Sequence, residues 1–200
     1  MARLTREESQ ALTRERLLAA APQVVAREGY EGASIDKIAD AAGYSKGAFY
    51  SNFASKDEFF LELLERHAGQ DVVEIAQLLG DVSIPNDIID RVTEWAADKA
   101  SDPTWGILPL ELFRQARRDS IFTARHANLF REQWRGVGAL LMPLAPRWPD
   151  ADHELLGAMV LELTYGAASA FNQGNGPSVG DLVRLALTSI HLAYGVPSAS

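Results

Sequence analysis

The stretch GYSKGAFYSNF, residues 43–53, can be read in two incompatible ways. Gly43, Ser45 and Gly47 spell G-x-S-x-G, the nucleophile elbow of serine hydrolases. The same letters describe a glycine turn, a serine helix cap and a short helix of the kind that enters a DNA groove. The sequence on either side decides between a catalytic Ser45 and a DNA-reading helix.

The residues before this stretch favour a helix-turn-helix. A nucleophile elbow needs a β-strand ahead of its serine. Here Ser34 is a candidate N-cap, and helical spacing follows it at Ile35, Ile38, Ala39 and Ala42. Gly43 can adopt the positive φ of the turn, and Ser45 can cap the next helix. A serine hydrolase using Ser45 therefore remains only a distant alternative.

The short helix that follows has an apolar side and an exposed side. Phe49 and Phe53 lie four residues apart and would anchor it to a core. The opposite side carries Lys46, Gly47, Ala48, Tyr50 and Ser51. Lysine and tyrosine can donate to phosphates, whereas small side chains can reach the groove floor and glycine permits close backbone approach. A solvated helix with an incidental tyrosine is the plainer alternative.

The remaining chain predicts an all-α fold of about nine helices, since helical spacing recurs and no period-two pattern is convincing. Ser55 and Glu58 form a capping-box pattern that opens a long fourth helix. We therefore expect a DNA-binding domain over residues 1–54 and a larger helical bundle over residues 55–200. Pro22 and Pro109 fall inside helical segments and should kink them or shift their starts.

Composition narrows the function classes. The 200 residues include 47% hydrophobic residues, enough for a core, and no cysteine. The net charge of −8 is unevenly distributed: residues 1–56 hold eight Lys/Arg against seven Asp/Glu, and the remainder holds eleven against twenty. The N-terminal quarter can therefore still approach phosphate. The lack of cysteine excludes cysteine nucleophiles and thiolate metal sites, and we predict no catalytic residue, metal site or cofactor. Because the sequence has neither a signal-type segment nor a membrane-length apolar run, we predict a cytoplasmic protein.

Two helical segments near the C-terminus predict self-association. An apolar stripe runs through residues 153–172, and residues 179–195 carry apolar side chains on nearly every side. A terminal helix of this kind must be covered on two sides. One cover can be its own core and the other a second copy, although both helices could simply be core.

The stretch GYEGASIDKIADAAGYSKGAFYSNFASKDEFFLELL, residues 29–64, resembles the N-terminal DNA-binding domain of the tetracycline-repressor (TetR) family. The matching features are a serine four residues before Ile38-Ala39, then Ala42-Gly43, Ser45-Lys46-Gly47, Tyr50, Phe53 and Lys56. They fall in order and at family spacing. Beyond residue 70 the resemblance is architectural only.

The resemblance implies roles for individual residues. Phosphate contacts would come from Ser34, Lys46, Tyr50 and Lys56. Lys56 could instead be a solvated first-turn residue. The base-reading side would carry Ser45, Gly47, Ala48, Ser51 and Asn52. Family members also pair their last two helices in a four-helix bundle, so that two recognition helices read a palindromic operator.

The resemblance further implies a small-molecule pocket in the second domain. The residues expected to line it are Trp95, Trp105, Phe113, Arg117, Phe130, Trp134, Tyr165 and Phe171. They indicate an apolar or aromatic effector, although aromatic residues at such positions are more often core than ligand contacts. Effector binding would repack the helix around Pro109, move the fourth helix and release a repressor from its operator. A regulator without ligand control, or an activator, is the alternative.

Overall fold

Every regular element in the part of the chain that the structure describes is helical. The computed structural model describes residues 5–102, 106, 108, 120–148, 153–166 and 176–196. Eight α-helices and one short 3-10 helix fall in these ranges, which confirms the predicted all-α fold. Four of the residues predicted to line the effector pocket lie outside the described residues: Trp105, Phe113, Arg117 and Phe171. Pro109, where a bend was expected, lies outside them as well.

The first helix, α1, covers Arg6–Gly32. It begins with a capping box, in which the Thr5 hydroxyl accepts from the Glu8 backbone N–H and the Glu8 carboxylate accepts from the Thr5 backbone N–H. The backbone leaves helical dihedral angles only at Gly29, where φ is 69°. The prediction for Pro22 was wrong, because the backbone keeps helical dihedral angles there; the departure lies at Gly29, where glycine adopts a positive φ without a steric cost.

The next three helices each begin at a serine cap. They are α2 (Ile35–Ala41), α3 (Lys46–Tyr50) and α4 (Lys56–Leu79), with Ser34, Ser45 and Ser55 as the caps. Each hydroxyl accepts from the backbone N–H three residues later, as predicted. At α4 the second half of the capping box is displaced by one residue, because Glu58 accepts from the backbone N–H of Ala54 at 3.1 Å.

The second half of the chain forms a helical bundle. Helix α5 covers Pro85–Ala100, with its proline at the start where no backbone donor is needed. Helix α6 covers Ser120–Leu141 and ends in the 3-10 turn Met142–Leu144. Helices α7 (His153–Gly166) and α8 (Val179–Tyr194) follow. The strongest packing in the bundle joins α6 to α7, followed by α5 to α8 and α4 to α6.

Two hydrophobic cores lie along α4. The N-terminal core joins α1, α2 and α3 to the first turns of α4, with Phe49, Phe59 and Phe60 fully buried. The C-terminal core joins the later turns of α4 to α5, α6, α7 and α8. Leu108 comes from the second half of the chain, yet it is fully buried in the N-terminal core. Leu129 of α6 also packs against this core, partly buried, so the later sequence contributes to the packing of the first three helices.

Helices α6 and α7 cross with their backbones in contact. A Cβ atom on Gly138 would lie 1.6 Å from the carbonyl oxygen of His153, and one on Gly157 would lie 1.9 Å from the carbonyl oxygen of Trp134. No side chain fits at these distances. The two glycines therefore set how closely α6 approaches α7.

Candidate DNA interface and effector core

The turn between α2 and α3 has the geometry of a helix-turn-helix. Gly43 has a φ of 77°, and the Tyr44 backbone N–H donates to the Ala39 carbonyl at 2.8 Å, which closes the end of α2. The Ser45 hydroxyl accepts from the Ala48 backbone N–H at 3.3 Å. Because α2 occupies the place where a nucleophile elbow requires a strand, Ser45 is a helix cap.

Aromatic packing fixes the orientation of α3. The Phe49 ring lies 5.3 Å from Phe53 and 5.1 Å from Phe59, and all three side chains are buried. The five residues of α3 are too few for a stable isolated helix. Tertiary contacts through the predicted Phe49–Phe53 anchor therefore hold it in place.

The side of α3 opposite this anchor is open to solvent. Lys46, Gly47, Tyr50 and Ser51 are exposed, and Ala48 is half-buried. Tyr50 is 52% exposed although its ring edge packs on Phe49. A Cβ atom on Gly47 would meet nothing closer than the Ser45 hydroxyl at 3.7 Å, so the fold itself does not require glycine there. The arrangement suits the approach of a DNA backbone.

An acidic residue that the sequence interpretation missed lies beside this open side. The Lys46 ammonium donates to the Asp36 carboxylate at 2.8 Å, which joins the first residue of α3 to the first turn of α2. The hydrogen bond and the charge of Asp36 raise the pKa of Lys46. Lysine 46 is therefore charged and already paired.

Two predicted base-reading residues donate back to their own helix. The Ser51 hydroxyl donates to the Gly47 carbonyl at 2.9 Å, and the Asn52 amide donates to the Ala48 carbonyl at 2.7 Å. Ser51 stays exposed, whereas Asn52 is half-buried and its side-chain oxygen is enclosed. Asn52 therefore does not share the open side of α3.

Arg14 of α1 holds the end of α3, a role that the sequence interpretation did not assign. Its guanidinium donates to the Asn52 carbonyl and to both oxygens of Glu62 on α4. The same group lies over the Phe53 ring, 4.2 Å from the centroid. One side chain thus joins α1, the end of α3 and α4.

Lys56 is half-buried rather than solvated. Its ammonium donates to the Tyr30 carbonyl at 2.6 Å and lies 4.2 Å from the centroid of the Tyr30 ring. Burial lowers the pKa of Lys56, partly offset by the charges of Glu31 and Asp57. The Tyr30 hydroxyl donates to Asp57 at 2.7 Å, so this group ties the end of α1 to the start of α4.

The interior of the bundle contains a charged cluster centred on Asp71 of α4, which is fully buried. Its Oδ2 accepts from the Tyr165 hydroxyl of α7 at 2.7 Å and from the Gln133 amide of α6 at 2.9 Å. Its Oδ1 faces the Lys99 ammonium of α5 at 3.4 Å. His67, one turn earlier on α4, lies 3.0 Å from the Tyr165 hydroxyl. Four helices therefore meet at one carboxylate.

Burial displaces the proton equilibria of this cluster. Desolvation raises the pKa of Asp71 to about 6, despite hydrogen bonds and charges that oppose the change. Desolvation and the charge of Lys99 lower the pKa of His67 to about 4. At neutral pH, Asp71 is therefore ionised and His67 is neutral.

The predicted effector residues that the structure describes fall into two pairs. Trp95 and Tyr165 lie at the charged cluster, where the Trp95 indole donates to Glu74 at 3.1 Å and Lys99 pairs with the same carboxylate at 2.7 Å. Phe130 and Trp134 lie together on α6, with ring centroids 6.4 Å apart. The polar partners of the first pair were not predicted. The sequence signal that could have indicated them is Asp71, a carboxylate that falls in the apolar stripe of α4, four residues after His67.

A groove of 550 Å³ runs between α4 and α6, with Val72, Leu129 and Gln133 among its walls. The ion pair between Arg125 and Glu65 also lines it. Since the Gln133 amide donates to Asp71, the groove and the charged cluster share a wall.

The outer surface of α8 is mixed rather than apolar on nearly every side, because exposed leucines lie among the exposed polar residues Asp181, Arg184, Thr188 and Ser189. Val183 and Leu187 are buried in the C-terminal core, whereas Leu185 and Leu192 are 66% and 78% exposed. These two exposed leucines lie seven residues apart, on one side of the helix.

No helix among the residues that the structure describes is long and apolar enough to cross a membrane.

Comparison with known sequences identifies regulators of transcription. The model for bacterial regulatory proteins of the tetR family matches residues 17–63. The HTH-type transcriptional repressor AcnR of Corynebacterium glutamicum is 28% identical over 116 residues, which cover 56% of this chain and 55% of that protein. The HTH-type transcriptional activator FasR of Mycolicibacterium smegmatis is 43% identical over 77 residues, which cover 38% of this chain and 33% of that protein.

Solved structures share the fold along nearly the whole chain. A crystal structure from Mesorhizobium loti, assigned as a TetR-family transcriptional regulator, has a TM-score of 0.73 at 19% identity and covers 96% of this chain and 100% of its own. The regulator FadR of Bacillus subtilis, solved in complex with stearoyl-CoA, has a TM-score of 0.66 at 17% identity and covers 91% of this chain and 98% of its own. At these identities the similarity establishes the fold alone.

Proposed function

We propose that this chain, which belongs to the TetR family of bacterial regulators, is a cytoplasmic homodimer that binds a palindromic operator and represses transcription until an effector releases it. The observation that carries the DNA-binding half is the open side of α3. It presents Lys46, Gly47 and Tyr50 to solvent while Phe49 fixes the helix from behind. Such a helix has the exposure and the rigid support that groove recognition needs.

Dimerisation supplies the second recognition helix. One five-residue helix reads few bases, and two copies about 34–36 Å apart would read a palindrome. Pairing through residues 153–172 and 179–195 is supported by the exposed leucines of α8, because a second copy would remove their apolar surface from water.

The effector half of the proposal concerns an apolar or aromatic small molecule. Trp95, Trp134 and Tyr165 bring aromatic rings to the C-terminal core, and Phe130 lies beside Trp134 on α6. Leu108 precedes Pro109 and is buried against the first helices, so repacking beside it would change the support of α4. That change would alter the spacing of the two recognition helices and weaken operator binding.

The proposed release mechanism applies to a repressor and to an activator alike, so repression has to be tested by measuring transcription. One relative is a repressor and another is an activator, so similarity supports both. Footprinting on genomic DNA, followed by in vitro transcription from the bound promoters, separates the two. Reduced transcript supports a repressor, and increased transcript establishes the activator.

Operator binding is tested with Lys46→Ala and Tyr50→Phe in fluorescence anisotropy on the footprinted duplex. Each should weaken binding by about fivefold, because each removes one donor to a phosphate. Arg91→Ala is the matched control, since Arg91 is exposed on α5 and donates to the Leu78 carbonyl. Unchanged affinity for both variants would overturn the phosphate assignments.

Dimerisation and effector binding need separate tests. Leu185→Asp should convert the dimer to a monomer in sedimentation velocity. Val73→Asp is the matched control and should leave the dimer intact, because Val73 is 47% exposed but lies on α4, outside the two segments proposed to pair.

For the effector, a panel of aromatic compounds is screened for loss of operator binding. Trp95→Phe should weaken the response and Trp148→Phe should leave it intact, since Trp148 packs against Tyr194 instead.

A further inference from the structure

We propose that Asp36 restrains the affinity of this protein for DNA by holding Lys46 in an ion pair that a phosphate must displace. The inference rests on the proposed DNA-binding function and names a regulator of its strength. Lys46 is the single basic residue within α3. A group that binds the Lys46 ammonium therefore competes with DNA phosphate for the one positive charge of the recognition helix.

The geometry places the carboxylate where DNA would arrive. Asp36 lies in the first turn of α2, Lys46 begins α3, and their side chains meet at 2.8 Å. Both side chains are more than half exposed, at 58% and 54%. A phosphate that binds the Lys46 ammonium therefore has to replace Asp36 as its partner, and the attraction lost in this exchange reduces the gain from DNA binding.

The pair is not needed to hold the two helices together. Exposed ion pairs contribute little to folding, and α3 is fixed by the buried Phe49 and Phe53 rings. Removing the carboxylate should therefore leave the fold intact. The effect of Asp36 on DNA can then be measured separately from stability.

Three other cations of the first helices also have partners, two of them carboxylates. Lys37 pairs with Glu28 at 2.7 Å, Arg14 pairs with Glu62, and Lys56 donates to the Tyr30 carbonyl. The Lys37–Glu28 pair also joins two exposed or half-exposed side chains of the DNA-binding domain, but it does not involve α3. It provides a charge-matched comparison for Asp36.

The experiment compares the wild type, Asp36→Asn, Lys46→Ala and the double variant in fluorescence anisotropy, with Glu28→Gln as control. Two labelled duplexes of ~30 base pairs are used, one selected by the wild type from a randomised pool and one of scrambled sequence. Asp36→Asn should bind both duplexes about three- to fivefold more tightly. The gain should shrink as salt rises, and it should vanish when Lys46 is alanine.

Several outcomes would overturn the inference. One is unchanged or weaker binding by Asp36→Asn with an unaltered melting curve. Another is a gain that persists without Lys46 or is equalled by Glu28→Gln, since either would be a general charge effect. Loss of binding to the selected duplex alone would make Asp36 a base reader, through cytosine for example. If the wild type enriches no sequence from the randomised pool and does not bind the scrambled duplex, the proposed function itself fails.

Discussion

The two cores of this protein solve different packing problems. The N-terminal core gathers aromatic rings around a very short helix, with Phe49, Phe53 and Phe59 in mutual contact. The C-terminal core is mainly aliphatic, closes through a glycine contact between α6 and α7, and encloses the ionised Asp71. The difference suits a fixed reading surface at one end and an interior that can respond to charge at the other.

Phe49→Ala should produce the largest loss, because it removes the ring that supports α3. Emptying a fully buried phenylalanine site costs about 3–5 kcal/mol of unfolding free energy. Urea unfolding followed by circular dichroism measures the loss, and Tyr50→Phe is the exposed aromatic control. If the variant unfolded like the wild type, the aromatic core would not be what holds the recognition helix.

Gly138→Ala tests the corresponding support of the second core. Its Cβ would overlap the His153 carbonyl at 1.6 Å, so the two helices must separate, at a cost of about 3 kcal/mol. Gly69→Ala on α4 is the control, because its Cβ meets nothing within 4 Å and alanine favours helix by up to about 1 kcal/mol. Equal melting temperatures for the two variants would contradict the close crossing.

The pH dependence of unfolding tests the charged cluster. Asp71, with its pKa raised to about 6, contributes stability that is lost as pH rises from about 4 to 6. His67, with its pKa lowered to about 4, contributes stability that is lost as pH falls from about 6.5 to 4. Each contribution is of order 3 kcal/mol, since each pH unit of displacement is about 1.4 kcal/mol, and the two oppose each other.

Because the contributions of Asp71 and His67 oppose each other in the wild type, replacing one of the two residues should reveal the pH dependence that the other contributes. As pH rises from 4 to 6.5, the unfolding free energy of His67→Gln minus that of the wild type should fall, because the variant lacks the stability that neutral His67 contributes. As pH rises from 4 to 6, the same difference for Asp71→Asn should rise, because the variant does not lose the contribution of protonated Asp71. Urea titrations at intervals across this window provide the measurement. Parallel curves for both variants and the wild type would show that these groups titrate as they do in the unfolded chain.

The smallest expected effect on stability comes from Gly47→Ala. The residue is helical with open space for a Cβ, so alanine should stabilise the fold by up to about 1 kcal/mol. Operator affinity should nevertheless fall, because the methyl group would stand where DNA approaches. Gly43→Ala should instead destabilise by about 1–2 kcal/mol, since its φ is 77°. Unchanged operator affinity for Gly47→Ala would remove the close-approach role.

The sequence predicts the recognition helix well because its signals are local. The serine caps, Gly43 and the Phe49–Phe53 spacing all act within a few residues, and the structure confirms each of them. The pairing of Asp36 with Lys46 was not predicted, because it depends on how two helices face each other across the turn.

The interior of the bundle was less predictable for the same physical reason. Trp95 and Tyr165 were expected beside an apolar ligand, but the polar groups that receive their N–H and O–H belong to α4. Asp71 gathers partners from three other helices, and no local pattern encodes such a meeting. Lys56 illustrates an intermediate case: its position was noted, whereas its carbonyl partner across 26 residues was not. Its phosphate contact stays a prediction.

Leu108 has a consequence for exchanging parts between regulators. Leu108 follows α5 in the sequence but is buried in the N-terminal core. If the first helices were joined to the bundle of another regulator, that bundle would supply a different side chain at this position. A smaller residue there would leave a cavity beneath α4, and a larger one would push on it. Hybrid proteins with intact recognition helices should therefore differ in stability according to the side chain that the bundle supplies at this position.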